Sequence, residues 1–348
     1  MKVVDLTAPR QQLQVRIDPS PAYDFMACLY MLGSSEQPLE FDVSPKWLER
    51  ARAALGGELR ADLALLFPSR TRTLGIVGVM EHTSGLSVRG FIKRVGSTPA
   101  EDLLELMLSE SLADRQAMPL LRAAIGGNPD AVERYIAATD PELERRALRR
   151  LVSLPPAEVK ARTVRLLRDG YARVYAEQED TVLPLLARDA SALARRAATA
   201  TGGEIVEYAT GGFLVGPDVP VVGVVLSPTY HFRPYNLITA YHGLRVFIYP
   251  IEVSRGENAP PPEMVRLYKA LGDETRLKIL RLLAGREMYL QELAKALGVS
   301  HVTALHHMAL LRAAHLVQVV ERDNLKYYRL RAERAREAAA QWLEFAQK

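Results

Sequence analysis

The 348-residue sequence predicts a mainly α fold with small β segments (α+β), in which a long α-rich region precedes a compact C-terminal module. Three observations carry that reading. Apolar residues recur at helical spacing over most of residues 20–200. β-Branched and aromatic runs bounded by Gly and Pro crowd residues 204–250. A break at 254–262 (SRGENAPPP) then separates these from a second succession of helices and strands. The domains expected are residues 1–253, a linker at 254–261, and residues 262–348.

In chain order, residues 12–17 alternate like a short strand and 20–33 read as a buried helix. Residues 44–55 start with Ser44 in the N-cap position and Pro45 at the first helical position, then stop at Gly56-Gly57. Helices also fit 100–111, 113–125, 129–138 and 141–151. From 155 to 200 helical periodicity is almost unbroken, with Pro184 expected to kink it or divide it near 180. Beyond Gly203 the texture changes, and strands are expected at 204–210, 212–216, 221–227 and 244–250.

Composition narrows the class. With 48% hydrophobic residues the chain can build real cores. Its single cysteine, Cys28, cannot form an intramolecular disulfide, which suits a reducing compartment. No apolar run approaches the roughly 20 residues a bilayer requires, and the N-terminus lacks a signal-peptide core. A cytoplasmic protein with no membrane partner is expected. The net charge of +4 is unevenly placed: residues 1–259 carry 30 basic against 31 acidic side chains, whereas 260–348 carry 15 against 10. Positive charge confined to one small module is what a phosphate-binding surface needs.

That module has a readable order. Residues 264–271 form a helix, and Asp273 caps a second, TRLKILRLLAG, with Leu277, Leu280 and Leu283 on one stripe. Residues 290–297 make a short third helix, Gly298 supplies a positive φ, and Ser300 caps a fourth helix at 301–313. Strands at 316–321 and 325–330 follow, joined across Arg322-Asp323-Asn324. Helix, short helix, glycine turn, helix and hairpin is the order of a winged helix-turn-helix. In the fourth helix Ala304, His307, Met308 and Leu311 face inward. Ser300, His301, Val302, Thr303, Leu305, His306 and Arg312 are left for a DNA major groove. Arg322, Asn324 and Lys326 are offered by the wing to phosphates or the minor groove.

The stretch from Leu271 to Leu330 resembles the ArsR/SmtB family of repressors, through Asp273-Glu274-Thr275-Arg276, Glu292-Leu293-Ala294, Leu297-Gly298-Val299-Ser300, His306-His307 and Tyr327-Tyr328-Arg329-Leu330. The resemblance covers about the last fifth of the chain. It implies a DNA-binding transcription regulator that dimerises through the first and last helices of the module, here 264–271 and 332–345. The latter carries an apolar stripe of Ala335, Ala338, Ala339, Trp342 and Phe345. One family metal site uses two cysteines just ahead of the acidic residue and Leu, where this chain has Tyr289 and Gln291; the other uses Asp and His on the last helix, which here lacks His and Cys. Neither thiolate nor imidazole sensing is expected at those places, and no metal or cofactor is assigned.

For the long N-terminal region the expectation is an effector-sensing or dimerisation role. No G-x-S-x-G, P-loop, H-E-x-x-H or dinucleotide fingerprint occurs, so the chain is not expected to be an enzyme. A catalytic or ligand-modifying domain, or a purely structural one, are the alternatives. Residues 208–249 hold eight of the chain's 24 aromatics. Among these, Tyr208, Phe213, Tyr230, Phe232, Tyr235 and Tyr241 are candidates to line a small-molecule pocket.

Overall fold

The computed structural model describes residues 13–33, 39–67, 74–109, 117–139, 145–216, 219, 221–254, 256, 259–322 and 325–347. The chain forms two compact units. The larger comprises Arg16–Ser191 and Gly223–Tyr249; the C-terminal unit comprises Ala192–Val222 and Pro250–Lys348 with the described part of Met1–Val15. Residues 192–222, which precede the proline-rich break, thus group with the C-terminal module.

In the larger unit, β1 (Val15–Ile17) leads to α1 (Pro21–Gly33). All of α1 from Pro21 to Leu32 is buried, as expected of a helix apolar on every side. In α2 (Pro45–Leu66) helical geometry is broken at Gly56, where φ is +68°. The break falls where the sequence places it, but helix resumes at once because Leu59, Leu63 and Leu66 supply a second buried face. Ser44 occupies the N-cap position of α2 without a side-chain cap bond. A 3-10 segment at Leu74–Met80 and α3 (Val88–Ser97) were not anticipated from the sequence. There follow α4 (Ala100–Ser109), α5 (Met118–Ile125), α6 (Pro129–Ala138), α7 (Arg145–Val152) and α8 (Pro156–Gly170). A π-helical turn, Tyr171–Tyr175, joins α8 to α9 (Ala176–Ala197), whose helical span runs on through Pro184.

The segment after α9 corrects one expectation. Residues 204–210 are not a strand but part of α10 (Gly202–Thr210). Thr201 Oγ1 accepts from the Glu204 backbone N–H, while the Thr201 N–H donates to the Glu204 carboxylate at 2.8 Å. This reciprocal capping box outweighs the β-leaning composition of Ile205 and Val206. Gly211 in the left-handed region, φ +69°, closes the helix. β2 (Phe213–Val215) follows in the C-terminal unit. Back in the larger unit, β3 (Gly223–Thr229), β4 (Leu237–Tyr241) and β5 (Leu244–Pro250) complete a four-stranded sheet in the order β1-β3-β5-β4. β4 and β5 pair antiparallel from Leu237↔Ile248 to Tyr241↔Leu244, turning at His242-Gly243 with both φ angles positive.

The rest of the C-terminal unit comprises α11 (Pro262–Leu271), α12 (Glu274–Gly285), β6 (Met288–Tyr289), α13 (Leu290–Leu297), α14 (His301–Ala313), β7 (Val317–Arg322), β8 (Leu325–Leu330) and α15 (Ala332–Ala346). Its sheet order is β2-β7-β8-β6, with β2 parallel to β7. The chain is therefore α+β, with a winged helix-turn-helix at its C-terminus. One apolar stripe differs from expectation. Leu277 is 49% exposed, whereas Ile279, Leu280 and Leu283 form the buried face of α12. No helix among the described residues is long and apolar enough to cross a membrane.

Candidate nucleic-acid interface

Short-range chemistry builds the helix-turn-helix. Asp273 caps α12 by accepting from the Arg276 N–H at 2.9 Å, and that contact is the foremost cause of its lowered pKa. Arg276 in turn reaches back to the carbonyls of Ala270 and Lys269 at 2.8 and 2.7 Å. The Asp-Glu-Thr-Arg run thus starts one helix and ties off the last carbonyls of the preceding one. Glu292 accepts from the Tyr289 N–H at 3.0 Å, securing the entry to α13. Gly298, φ +67°, ends α13 with its N–H on Ala294 and Lys295 carbonyls. Ser300 then caps α14 by accepting from the Thr303 N–H at 3.0 Å.

On α14 the buried stripe is Ala304, Met308 and Leu311. Ser300, His301, Val302 and Thr303 are exposed and Leu305 and His306 half-buried. Val302 leaves 59% of its surface open, on the first turn of the helix. His307 points inward, 3.7 Å from Asp273 Oδ1, and burial lowers its pKa. Arg312, at the far end of the expected outward face, is half-buried, and burial lowers its pKa.

The wing is the antiparallel pair β7–β8, in register from Val317↔Leu330 to Arg322↔Leu325. Arg322 pairs with Glu287 and sits over the Tyr327 ring, 4.6 Å from its centre. Lys326 is exposed beside them. Asn324, also expected on this surface, lies outside the described residues. Tyr289 stands in β6, edge-on to Tyr327, and Gln291 is exposed on the first turn of α13. Among the described residues no group of three or more His, Cys, Asp or Glu is placed to hold a metal.

The six candidate pocket aromatics are divided between the two units. Tyr208 and Phe213 belong to the C-terminal unit, the former 58% exposed under Arg196 and the latter buried on β2. Tyr230, Phe232, Tyr235 and Tyr241 belong to the larger unit. There Phe232 and Tyr235 pack with Phe41, at 5.2 and 5.6 Å between ring centres, and Arg233 covers Tyr230. The sequence reading also missed a buried polar centre. Asp24 accepts from Thr229 Oγ1, the backbone N–H groups of Tyr230 and His231, Tyr175 OH and the Nδ1–H of His231. Burial pushes the Asp24 carboxyl up, but His231 and these bonds outweigh it and hold the pKa at about 2. An aspartate inside the otherwise apolar run PAYDFMACLYML was the available signal.

Comparison with known proteins matches this geometry. Residues 273–319 match the family described as bacterial regulatory protein, arsR family. Over 74 residues the chain is 36% identical to the HTH-type transcriptional regulator KmtR of Mycobacterium tuberculosis, covering 21% of this chain and 57% of that protein. Over 67 residues it is 33% identical to the transcriptional repressor SdpR of Bacillus subtilis, covering 19% of this chain and 74% of the relative. The chain thus spans less than two thirds of KmtR. No solved structure matches. With α12, the glycine turn, α14 and the first half of β7 inside the matched region, the chain belongs to the arsR family of bacterial regulatory proteins.

Proposed function

We propose that this regulator binds duplex DNA through the first turn of α14 and the wing, as a homodimer, and that its larger unit answers to a small-molecule effector. One observation carries the DNA-reading part. The capped first turn of α14 presents His301, Val302 and Thr303 to solvent, on a module with an excess of five positive charges over residues 260–348. A helix N-terminus with exposed donors and an apolar tip suits base edges and thymine methyls. Arg322 and Lys326 serve flanking phosphates. The test is fluorescence anisotropy of the full chain with labelled duplexes across a salt series. Log K falls steeply and linearly with log salt. Lys326→Ala weakens all sequences alike, whereas His301→Ala changes the preference among them. Absence of duplex binding at low salt would sink the reading.

A single winged helix reads few base pairs, so a dimer spanning two half-sites about one helical turn apart is required for regulatory specificity. Support for the interface comes from α15, where Trp342 and Leu343 are each about half exposed, and from Tyr268 on α11. Light scattering on the full chain gives a dimer, and Trp342→Glu gives a monomer; a monomeric parent at micromolar concentration rejects this part. The effector reading is supported by Phe41, Phe232 and Tyr235 packed together near Arg233, whose guanidinium pKa burial lowers. A compound that shifts DNA affinity must favour one state of the protein over another. Such a shift is expected to vanish in Phe232→Ala while DNA binding itself persists. A cytoplasmic location follows from this function.

A further inference from the structure

A chain of polar contacts crosses the C-terminal unit from α10 to the wing cation. Glu207 on α10 accepts from Gln318 Nε2 at 2.6 Å. Gln318 Oε1 accepts from Arg329 Nε directly across the β7–β8 ladder, where the two residues are register partners. Arg329 Nη1 stands 3.9 Å from Glu287, and Glu287 pairs closely with Arg322. Gln318, Arg322, Tyr327 and Arg329 share one face of the ladder by the two-residue period of strands. Arg322 keeps about a fifth of its side chain open to solvent.

The amide of Gln318 has a determined direction. A carboxylate stands at one end and a guanidinium at the other, so the NH2 must face Glu207 and the oxygen must face Arg329. Gln318 is itself buried, and an amide there that lost either partner would be costly. Arg329, with its Nε–H committed to Gln318, is held off Glu287 and leaves that carboxylate to orient Arg322. The element bearing Glu207 is itself fixed to the wing sheet. Val319 N–H donates to Gly212 O at 2.9 Å, Gly216 N–H to Glu321 O at 3.0 Å, and Arg331 Nη1 to Gly211 O at 3.1 Å.

We propose that Glu207, lying outside the segment matched to the family, is a positioning residue for the wing cation Arg322, acting through Gln318, Arg329 and Glu287. The proposal rests on the reading that Arg322 contacts DNA phosphates. Without Glu207 the buried Gln318 NH2 has lost its acceptor, and an amide that turns to recover one takes its oxygen away from Arg329 Nε. Arg329 then swings to Glu287, and Arg322 loses its orienting carboxylate. Ordering one freed long side chain on binding weakens DNA affinity by about three- to ten-fold. That loss is independent of sequence, because phosphates carry no base identity.

The deciding experiment is a double-mutant cycle on the full chain, with a random-sequence fluorescent duplex at low salt as probe. Glu207→Ala lowers affinity by the stated factor in the parent and changes nothing in an Arg322→Ala background. Gln318→Met reproduces the loss by a second route if Glu207→Ala fails to fold. Glu207→Gln, which keeps an oxygen acceptor for Gln318, retains most of the affinity. An equal loss in both backgrounds overturns the proposal, since Glu207 would then act through general stability. So does an unchanged Glu207→Ala, or an Arg322→Ala that binds as tightly as the parent. A parent that binds no duplex removes the DNA reading itself, a result separable from all of these.

Discussion

The Nδ1 of His231 lies 2.8 Å from Oδ2 of Asp24, with both side chains withdrawn from solvent, although 207 positions separate them in the sequence. The Nε2 of the same ring meets the Gln178 side-chain amide at 2.9 Å, and Trp47 and Tyr175 each stack 5.2 Å from its centre. Removing the His231 ring takes a partner from the buried Asp24 carboxylate and leaves that charge less compensated in a low-dielectric interior. His231→Ala is therefore expected to destabilise the larger unit by about 3–5 kcal/mol. Urea unfolding followed by Trp47 fluorescence measures it; a cost below about 1 kcal/mol would show that Thr229, Tyr175 and the backbone N–H groups of residues 230 and 231 suffice to hold Asp24.

Acid sensitivity of the C-terminal unit traces to His315. Burial, reinforced by Arg331, Arg334 and Arg266, holds its pKa down at about 3. The unfolded chain takes up that proton first as pH falls. The contribution is thus fully present above about pH 6.5, diminishes below it, and is lost by about pH 3. The expected slope approaches about 1.4 kcal/mol per pH unit in that window. His307, whose pKa burial also lowers, adds in the same direction. Asp24 does not, because its change lies between about 2 and the ordinary carboxylate value. Urea titrations of a Trp47→Phe protein, read at Trp342, should show the slope between pH 7.5 and 5. His315→Asn, which tolerates the positive φ of 57° at this site, should reduce it.

The cap on α14 has a separate, smaller effect. Ser300→Ala removes the acceptor for the Thr303 N–H and is expected to cost about 1 kcal/mol. Fraying is confined to the first turn, where His301 and Val302 stand, so DNA affinity falls more than the melting temperature suggests. Ser300→Asp restores the cap but sets a negative charge beside the phosphates. Recovery of stability without recovery of binding is the expected result, and joint recovery would argue that α14 does not approach DNA by this end.

Metal response offers another check. Tyr289 stands in β6 and Gln291 on α13, where relatives that sense metals through thiolates carry cysteines. Zinc, cadmium or arsenite titrated into the protein–DNA complex should leave its anisotropy unchanged, and chelators should leave its melting temperature unchanged. Release of DNA at stoichiometric metal would contradict this.

The sequence by itself determined the C-terminal helix-turn-helix, because its signals are local. Asp273 and Ser300 cap the helices that follow them, Gly298 supplies the one positive φ that the turn demands, and Asp323-Asn324 is a turn signal between two strong strand patterns. The capping box Thr201–Glu204 is equally legible and marks the start of α10, although β-branched Ile205 and Val206 behind it read as a strand. Tertiary structure alone decided the rest. Leu277 looks like a core residue by spacing, yet Ile279, Leu280 and Leu283 already fill the buried face of α12. Arg312 reads as a groove-facing cation, yet it is half-buried and burial lowers its pKa. The aromatics of residues 208–249 read as one cluster, yet the chain leaves one compact unit and enters the other between Phe213 and Tyr230. β2 pairs with β7 across more than a hundred residues, and Asp24 finds His231 across twice that distance. Local periodicity reports which face of a segment is apolar; only the closed fold selects the partner that buries it, because that choice depends on the shape and polarity of every other face competing for the same interior.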